Sequence, residues 1–317
     1  MKRLLPGKGF CGYILYTAAV LLLMLWLQFP SSAVKAKAES ELNRMLPVFA
    51  WRIGSVGLTL PADIRFSQIR ISSKDGQESL LVIDSLSLRP DFAAWQKTRS
   101  WSALWRLQAL GGGGSGKAAL RKDRSGLEYS GELNGIQLDS PGLKKILAGW
   151  GRTAAGSLSG SFSGRQDGQH GLFAEFEGRF STTKGTVSLQ KPVLGMKELT
   201  FDSLNAVLRH HQDRLLHVEA GKATSRLLEA EFSGTVSLHP ADFSLSQLRL
   251  NGQLALKSEF LASIGSSLAA SLLQTRLQDG GKLLFDLVGP VSEPGIIFAG
   301  LSPDFNSQLG GGDDSGR

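Results

Sequence analysis

The sequence is poor in the residues that build cross-linked or metal-centred proteins. It has a single cysteine, Cys11, among 317 residues, which excludes an intramolecular disulfide and any zinc or iron–sulfur site made by several cysteines. Only 11 residues are proline whereas 38 are glycine, and this balance excludes a collagen-like chain and a proline-rich linker protein. Hydrophobic residues make up 42% of the chain, so one or two domains must be held together by packing.

Charge is absent from one stretch near the N-terminus. Twenty residues from Phe10 to Phe29, FCGYILYTAAVLLLMLWLQF, contain no charged side chain. A helix of this length covers the ~30 Å hydrocarbon core of a bilayer. Tyr13 and Trp26 lie near its two ends, where aromatic rings favour the membrane interface. We therefore predict a membrane anchor that includes Phe10, Tyr13, Trp26 and Phe29.

The charges on either side of this stretch predict its orientation. Three basic residues and no acidic residue precede it, whereas the basic residues that follow it are accompanied by glutamates (Lys2, Arg3 and Lys8 before; Lys35, Lys37, Glu39 and Glu41 after). This bias predicts a cytoplasmic N-terminus, with everything from Ser31 onward outside. A cleaved signal peptide is the alternative, because small residues at 31–33 and 36–38 have cleavage spacing. The bulk of the chain is exported in either case.

The exported part changes from a helical to a strand pattern near Pro47. Ser32 to Leu46 is rich in Ala, Lys, Glu and Leu, which predicts a helical stalk. From Arg52 the period changes to two, and apolar residues such as Val56 and Leu58 alternate with polar residues or glycine, which predicts strands. The predicted organisation is a cytoplasmic N-terminus and transmembrane helix at 1–30, the stalk at 31–47, a β-rich domain at 48–302 and a disordered tail at 303–317.

Glycines and two short helices complete the predicted fold. Glycine recurs inside the predicted strands, for example at Gly131, Gly178 and Gly252, which indicates bends, bulges or close approach of backbones. Asp91 can cap a short helix from Phe92, and residues 259–274 have the apolar spacing of an amphipathic helix. We predict a mainly β protein, namely a transmembrane helix followed by a curved antiparallel sheet with one or two short amphipathic helices.

No pattern in the sequence predicts an enzyme. The run GGGGSGKA at 111–118 resembles a phosphate-binding loop, but Ala118 replaces the required hydroxyl residue and no helix start follows, so we expect a glycine-rich strand connection. His210 and His217 could face each other on a hairpin, which gives at most two metal ligands. No nucleophile elbow, HExxH motif or carboxylate pair is present. We predict no catalytic, cofactor-binding or metal-binding residues.

Two further expectations concern the surface. Basic residues of the exported part are scattered among acidic and polar residues, which argues against a nucleic-acid partner. The tryptophans at 51, 95, 101, 105 and 150 could line a groove or a membrane-facing edge, but tryptophan is mostly buried in proteins. We therefore expect them in the core.

Several stretches together resemble a known family. The anchor and stalk, the strand ending SLSLRPDFAAW, the stretch FDSLNAVLRHHQDRLLHVEAGKATSRLLEAEFSGTVSL and the closing order of LLFDLVG and PVSEPGIIF look like type II secretion system protein N. The closing segment is also similar to the wider AsmA-like group. The resemblance covers about residues 8–300 and consists of patterns of Gly, Leu and Pro.

The resemblance implies a location and a role. It implies a single-pass inner-membrane protein of a Gram-negative bacterium whose periplasmic domain contacts other type II secretion components. The AsmA-like group implies a rival function, because its curved sheets have an apolar inner face and are linked to lipid movement. Under that alternative, lipid acyl chains occupy an apolar groove that includes Phe232, Val236, Leu238, Leu254 and Leu256. The domain forms too short a sheet to bridge an envelope alone, which favours the secretion role.

Overall fold

The computed structural model describes most residues between 28 and 299 and a few residues before them. The described residues are 12–13, 16–17, 20–21, 24, 28–45, 49–59, 62–73, 79–121, 126–149, 151–167, 171–193, 196–211, 215–239, 245–260 and 282–299. Within these ranges, no helix combines the length and the apolar character needed to cross a bilayer. Most of the predicted anchor, the tail at 303–317 and most of the helix predicted at 259–274 lie outside them.

The described residues form fourteen strands in one antiparallel sheet. Each strand pairs only with its neighbours in the chain, and the sheet is not closed, so β1 and β14 are its two edges. The mainly β antiparallel prediction is therefore confirmed. The strands are β1 Phe49–Thr59, β2 Asp63–Ser73, β3 Ser79–Pro90, β4 Ser102–Ala109, β5 Gly112–Leu120, β6 Gly126–Gln137, β7 Ala154–Asp167, β8 Gly171–Val193, β9 Met196–His211, β10 Leu215–Thr224, β11 Leu228–Ser237, β12 Gln247–Leu256, β13 Lys282–Pro290 and β14 Gly295–Phe298.

Besides the helical residues among 12–24 and at 258–260, three helices that are described from end to end accompany the sheet. They are α1 Ser31–Met45, α2 Phe92–Thr98 and α3 Pro141–Gly149. The predicted cap of α2 is present, because the Asp91 carboxylate accepts a hydrogen bond from the Ala94 amide at 3.0 Å. The sequence did not predict α3, whose nine residues include two glycines that weaken helices.

The sheet has one apolar and one polar face. A continuous row of cross-strand partners, one from each strand, contains only apolar residues and glycine: Leu58, Ile64, Leu88, Trp105, Gly116, Gly131, Phe162, Gly178, Leu208, Val218, Gly234, Leu250, Leu287 and Ile296. The adjacent row on the opposite face is mostly polar or charged and includes Arg89, Lys117, Ser130, Ser163, Glu177, Arg209, Thr235 and Arg249. We call these the apolar face and the polar face.

Packing concentrates at the two ends of the strand order. At the β1 end, Ile53, Val56, Phe66 and Ile69 form a buried cluster against which α1 packs. At the β14 end, two clusters lie on the apolar face, one around Ala230, Leu254, Phe260, Leu283 and Phe298 and the other around Val218, Val236 and Leu250. The apolar face is therefore most completely covered where the chain begins and ends its sheet.

The helix α1 lies along the exposed edge of β1. The Ile53 amide donates to Glu39 Oε1 at 2.6 Å, and the Trp51 amide donates to Asn43 Oδ1 at 2.9 Å. Lys35 Nζ donates to the Gly54 carbonyl at 3.3 Å. These side chains take the place of a neighbouring strand, so α1 closes an edge that would otherwise invite pairing with another chain. The predicted stalk is thus part of the folded domain.

Candidate functional site

A ladder of aromatic rings crosses the middle of the apolar face. The centroids of Trp105 and Phe162 are 5.9 Å apart, those of Phe162 and Phe176 are 6.4 Å apart, and those of Phe176 and Phe180 are also 6.4 Å apart. Tyr129 lies 6.3 Å from Phe162, and burial raises the pKa of its hydroxyl to about 12, so it stays protonated. These rings are only half-buried, which leaves an apolar surface between the two packed ends.

Glycines under these rings explain why glycine recurs in the strands. The Trp105 ring lies on Gly131, where an added Cβ would overlap the indole, and its Nε1 donates to the Ser130 carbonyl at 3.2 Å. The same arrangement repeats along the face, with Phe180 over Gly160 and Gly178, Phe201 over Gly185, Phe232 over Gly221 and Phe285 over Gly252. At these positions the close approach expected from the sequence is present, and it lets aromatic rings lie flat on the sheet.

The five residues predicted for an apolar groove share one face. Phe232, Val236, Leu254 and Leu256 lie on the apolar face of β11 and β12, and Leu238 packs on a cluster of that face. Val236 and Leu254 are buried within the clusters, whereas the other three pack against them. The half-buried ladder on β4, β6, β7 and β8 was not predicted as part of this surface. For four of its five rings, namely Tyr129, Phe162, Phe176 and Phe180, the sequence signal was an aromatic residue two positions from a glycine.

An open cavity of about 760 Å³ lies against the polar face of β2 to β8. Arg89 and Asp63 form a bidentate ion pair on its wall, with distances of 2.6 and 2.7 Å. The hydrogen bond from Arg89 holds the pKa of Asp63 below its ordinary value. The remaining lining is mostly serine, glycine and charged residues, among them Ser115, Ser130, Ser161, Ser163, Lys117, Glu132 and Glu177. The cavity is therefore suited to polar contacts.

Four arginines, which we call the arginine cluster, lie on the polar face of β1 to β4 in two groups that are separated by five residues along β2. Arg52 is the direct cross-strand partner of Arg70, and Arg65 and Arg106 both pair with Ser87 between them. All four are exposed, and none forms a salt bridge with another described residue. Like charges directly opposite each other destabilise a sheet, so the arginine cluster suits contact with negative charge. The sequence analysis missed it because the strand register, rather than spacing, brings these residues together.

The other chemical candidates do not assemble into a site. His210 is buried on the apolar face, and its Nδ1 lies 2.8 Å from the Leu215 carbonyl oxygen. His217 is paired with Arg209 rather than with His210, and it lies on the polar face. The expectation that the two histidines could face each other is therefore wrong. Across the described ranges, no three His, Cys, Asp or Glu side chains are grouped as metal ligands.

The glycine-rich run and the tryptophans also have clear positions. Residues 112–120 form β5 itself rather than a connection between strands. The expectation of a core position is wrong for Trp101, whose surface is 56% exposed. Trp51 and Trp105 lie on the apolar face, and Trp150 lies outside the described residues.

The predicted anchor is described only in part. Phe29 packs against the cluster around Ile53, and Tyr13 is exposed. Phe10 and Trp26 lie outside the described residues.

Comparison with known proteins adds no relative, because the chain matches no family model, no curated protein and no solved structure.

Proposed function

We propose that this chain is an accessory component of the type II protein secretion machinery of a Gram-negative inner membrane. Residues 10–29 anchor it with the N-terminus in the cytoplasm, and the curved sheet acts in the periplasm through protein contacts, without catalysis. The sequence resemblance over residues 8–300 supports this role. The exposure of apolar side chains before α1, at Tyr13, Tyr16, Leu21 and Met24, supports the anchor.

The arginine cluster is the observation that carries this proposal. No salt bridge joins its four guanidinium groups to another described residue, and those of Arg52 and Arg70 lie directly opposite each other. An acidic surface on another secretion component would relieve this repulsion, and charge complementarity of this kind guides protein association. The adjoining cavity on the polar face offers further hydrogen-bonding groups to such a partner.

Charge reversal tests this proposal in a cell. We expect the double substitution Arg52→Glu with Arg70→Glu to retain the protein in the membrane but to trap secreted proteins in the periplasm. The matched control is Arg249→Glu, because Arg249 is an exposed arginine on the polar face of β12, far from the cluster. Normal secretion by the double variant at unchanged protein level would refute the role assigned to the cluster.

Lipid binding is the second candidate function, and the aromatic ladder favours it. Trp105, Phe162, Phe176 and Phe180 present a half-buried apolar strip that joins the row running across all fourteen strands. Acyl chains lying along this strip would bury apolar area at about 25 cal/mol per Å². The predicted groove residues Phe232 and Leu256 continue the same face on later strands.

A crosslinking experiment addresses lipid binding directly. A photoreactive amino acid replaces Phe162 on the apolar face or, as the matched control, Ser163 on the polar face. Lipid binding predicts acyl-chain adducts at position 162 and none at 163, and equal labelling at the two positions contradicts it. Deletion of the gene separates the two functions, because loss of secretion with an intact outer-membrane lipid barrier supports the first and the reverse outcome supports the second.

A further inference from the structure

The helix α2 is folded although it has almost nothing to pack against. It contains seven residues, and none of them is buried. Its ends are fixed by the Asp91 cap and by the Arg99 amide, which donates to the Trp95 carbonyl at 2.9 Å. Helices this short are marginal in water and are normally stabilised by burial of one face. The described residues therefore leave most of the surface of α2 uncovered.

Around α2 lies an exposed aromatic surface, which we call the α2 patch: Phe92, Trp95, Trp101 and Leu120. Phe92 and Trp101 are each 56% exposed and Leu120 is 44% exposed. The rings of Trp95 and Trp101 are 5.9 Å apart, and the Leu120 amide donates to the Trp101 carbonyl at 2.8 Å. A contiguous group of large exposed apolar side chains marks an interaction surface.

The α2 patch lies at the end of the sheet from which the predicted anchor leaves. Because α1 runs antiparallel to β1, its first residue, Ser31, lies level with about Val56, given rises of about 1.5 Å per helical residue and 3.3 Å per strand residue. Through Phe66, Val56 is in register with Leu86. From Leu86, β3 continues in the same direction to Pro90, and Phe92 follows two residues later. The patch therefore projects past the start of α1.

The charges of the patch match a lipid surface. Lys97 and Arg99 are exposed beside the aromatic rings, and the Arg99 guanidinium lies 5.4 Å from the Trp95 ring centroid. The Asp91 carboxylate forms a salt bridge with Lys117 at 3.0 Å, so its negative charge offsets the positive charges of Lys97 and Arg99 only weakly. Tryptophan rings flanked by lysine and arginine are typical of segments that lie in the interface of an anionic bilayer.

We propose that the α2 patch is a second membrane contact, which rests on the same bilayer that holds the N-terminal anchor and inserts Phe92 and Trp101 among the lipid headgroups. This inference rests on the proposed anchoring of residues 10–29. Together the two contacts would fix the tilt of the sheet on the membrane, so the arginine cluster would face its partner in one orientation.

Fluorescence quenching by a nitroxide-bearing lipid tests this contact in the full-length protein. The chain is reconstituted in nanodiscs of phosphatidylethanolamine and phosphatidylglycerol that contain a lipid with a nitroxide near the headgroup. An environment-sensitive fluorophore is attached to cysteine introduced by Phe92→Cys, Trp101→Cys or Leu120→Cys in a Cys11→Ser background. Phe49→Cys is the matched control, because Phe49 is an apolar residue that is 37% exposed at the opposite end of β1.

We expect loss of most of the emission at positions 92, 101 and 120, and unchanged emission at 49. Unquenched probes at all three patch positions, or equal quenching at 49, overturn the inference. The wild-type chain labelled at its single cysteine, Cys11, reports on the anchor independently. Quenching at Cys11 without quenching at the patch refutes the second contact alone, whereas loss of quenching at Cys11 refutes the anchor and this inference with it.

Discussion

The substitution Gly131→Ala probes the stacking of rings on glycines. A Cβ at this position would overlap the Trp105 indole, with its Cη2 at 2.7 Å, and would lie 2.9 Å from the Ser115 carbonyl oxygen. Ordinary contact needs 3.4–4 Å, so the ring must lift off the strand. The backbone oxygen limits any compensating shift of the alanine.

The cost follows from what the ring loses when it lifts. A gap of about 0.5–1 Å removes a quarter to a half of the dispersion energy of each contact that it opens. The stacking of Trp105 on Phe162, worth about 0.5–1.5 kcal/mol beyond buried area, weakens as well. Overpacked sites typically cost 1–3 kcal/mol, so we expect a destabilisation of about 2 kcal/mol.

Urea unfolding of the full-length protein in detergent micelles, followed by far-ultraviolet circular dichroism, measures this cost. Gly57→Ala is the matched control, since an added Cβ on this β1 glycine would meet no atom within 4 Å. The control should be neutral, or it should stabilise the fold by about 0.4–1 kcal/mol because alanine lowers the conformational entropy of the unfolded chain. In a Trp105→Leu background, Gly131→Ala should cost much less. Equal midpoints for Gly131→Ala and Gly57→Ala would show that the ring does not press on the glycine.

Two further perturbations test the β1 edge and the pH dependence. Glu39→Ala removes the acceptor of the Ile53 amide, so it should destabilise the fold by about 1.5–3 kcal/mol and speed hydrogen exchange at Ile53. Glu39→Gln keeps an acceptor oxygen and should retain most of the protection. Equal exchange rates in the two variants would contradict the edge role of α1. Because Arg89 lowers the pKa of Asp63 in the folded state, the stabilisation by this pair is complete above the ordinary aspartate pKa of about 3.9 and is lost as pH falls through the lower folded-state value. Asp63→Asn should therefore flatten the acid limb of a stability-against-pH curve, and an unchanged limb would refute this linkage.

The alternation of side chains was the part of the fold that the sequence could predict. Val56, Leu58, Leu86 and Leu88 repeat with period two, and each lies on the apolar face as expected. The helix capped by Asp91 was also predictable, because a cap acts over three residues. Signals of this kind depend only on residues that are close in sequence, so they can be recognised without knowing which strands pair.

Elements that depend on partners could not be predicted. The strand β5, GGGSGKAAL, has little apolar alternation of its own, and it forms because Trp105 and Leu133 on the two flanking strands cover its glycines. The strand β14 has only four residues after a proline. The arginine cluster requires the strand register, which a single sequence does not specify. The same limit hid the exposure of Trp101.

The order of strands has a consequence for how the chain matures. A polypeptide made from its N-terminus presents α1 and β1 before any later strand. Since α1 already occupies the outer side of β1, growth of the sheet can proceed in one direction only, from β1 to β14. Each new strand can then pair with the strand that precedes it in the chain. The sheet can therefore form while the chain is still being made, because no pairing depends on a distant segment.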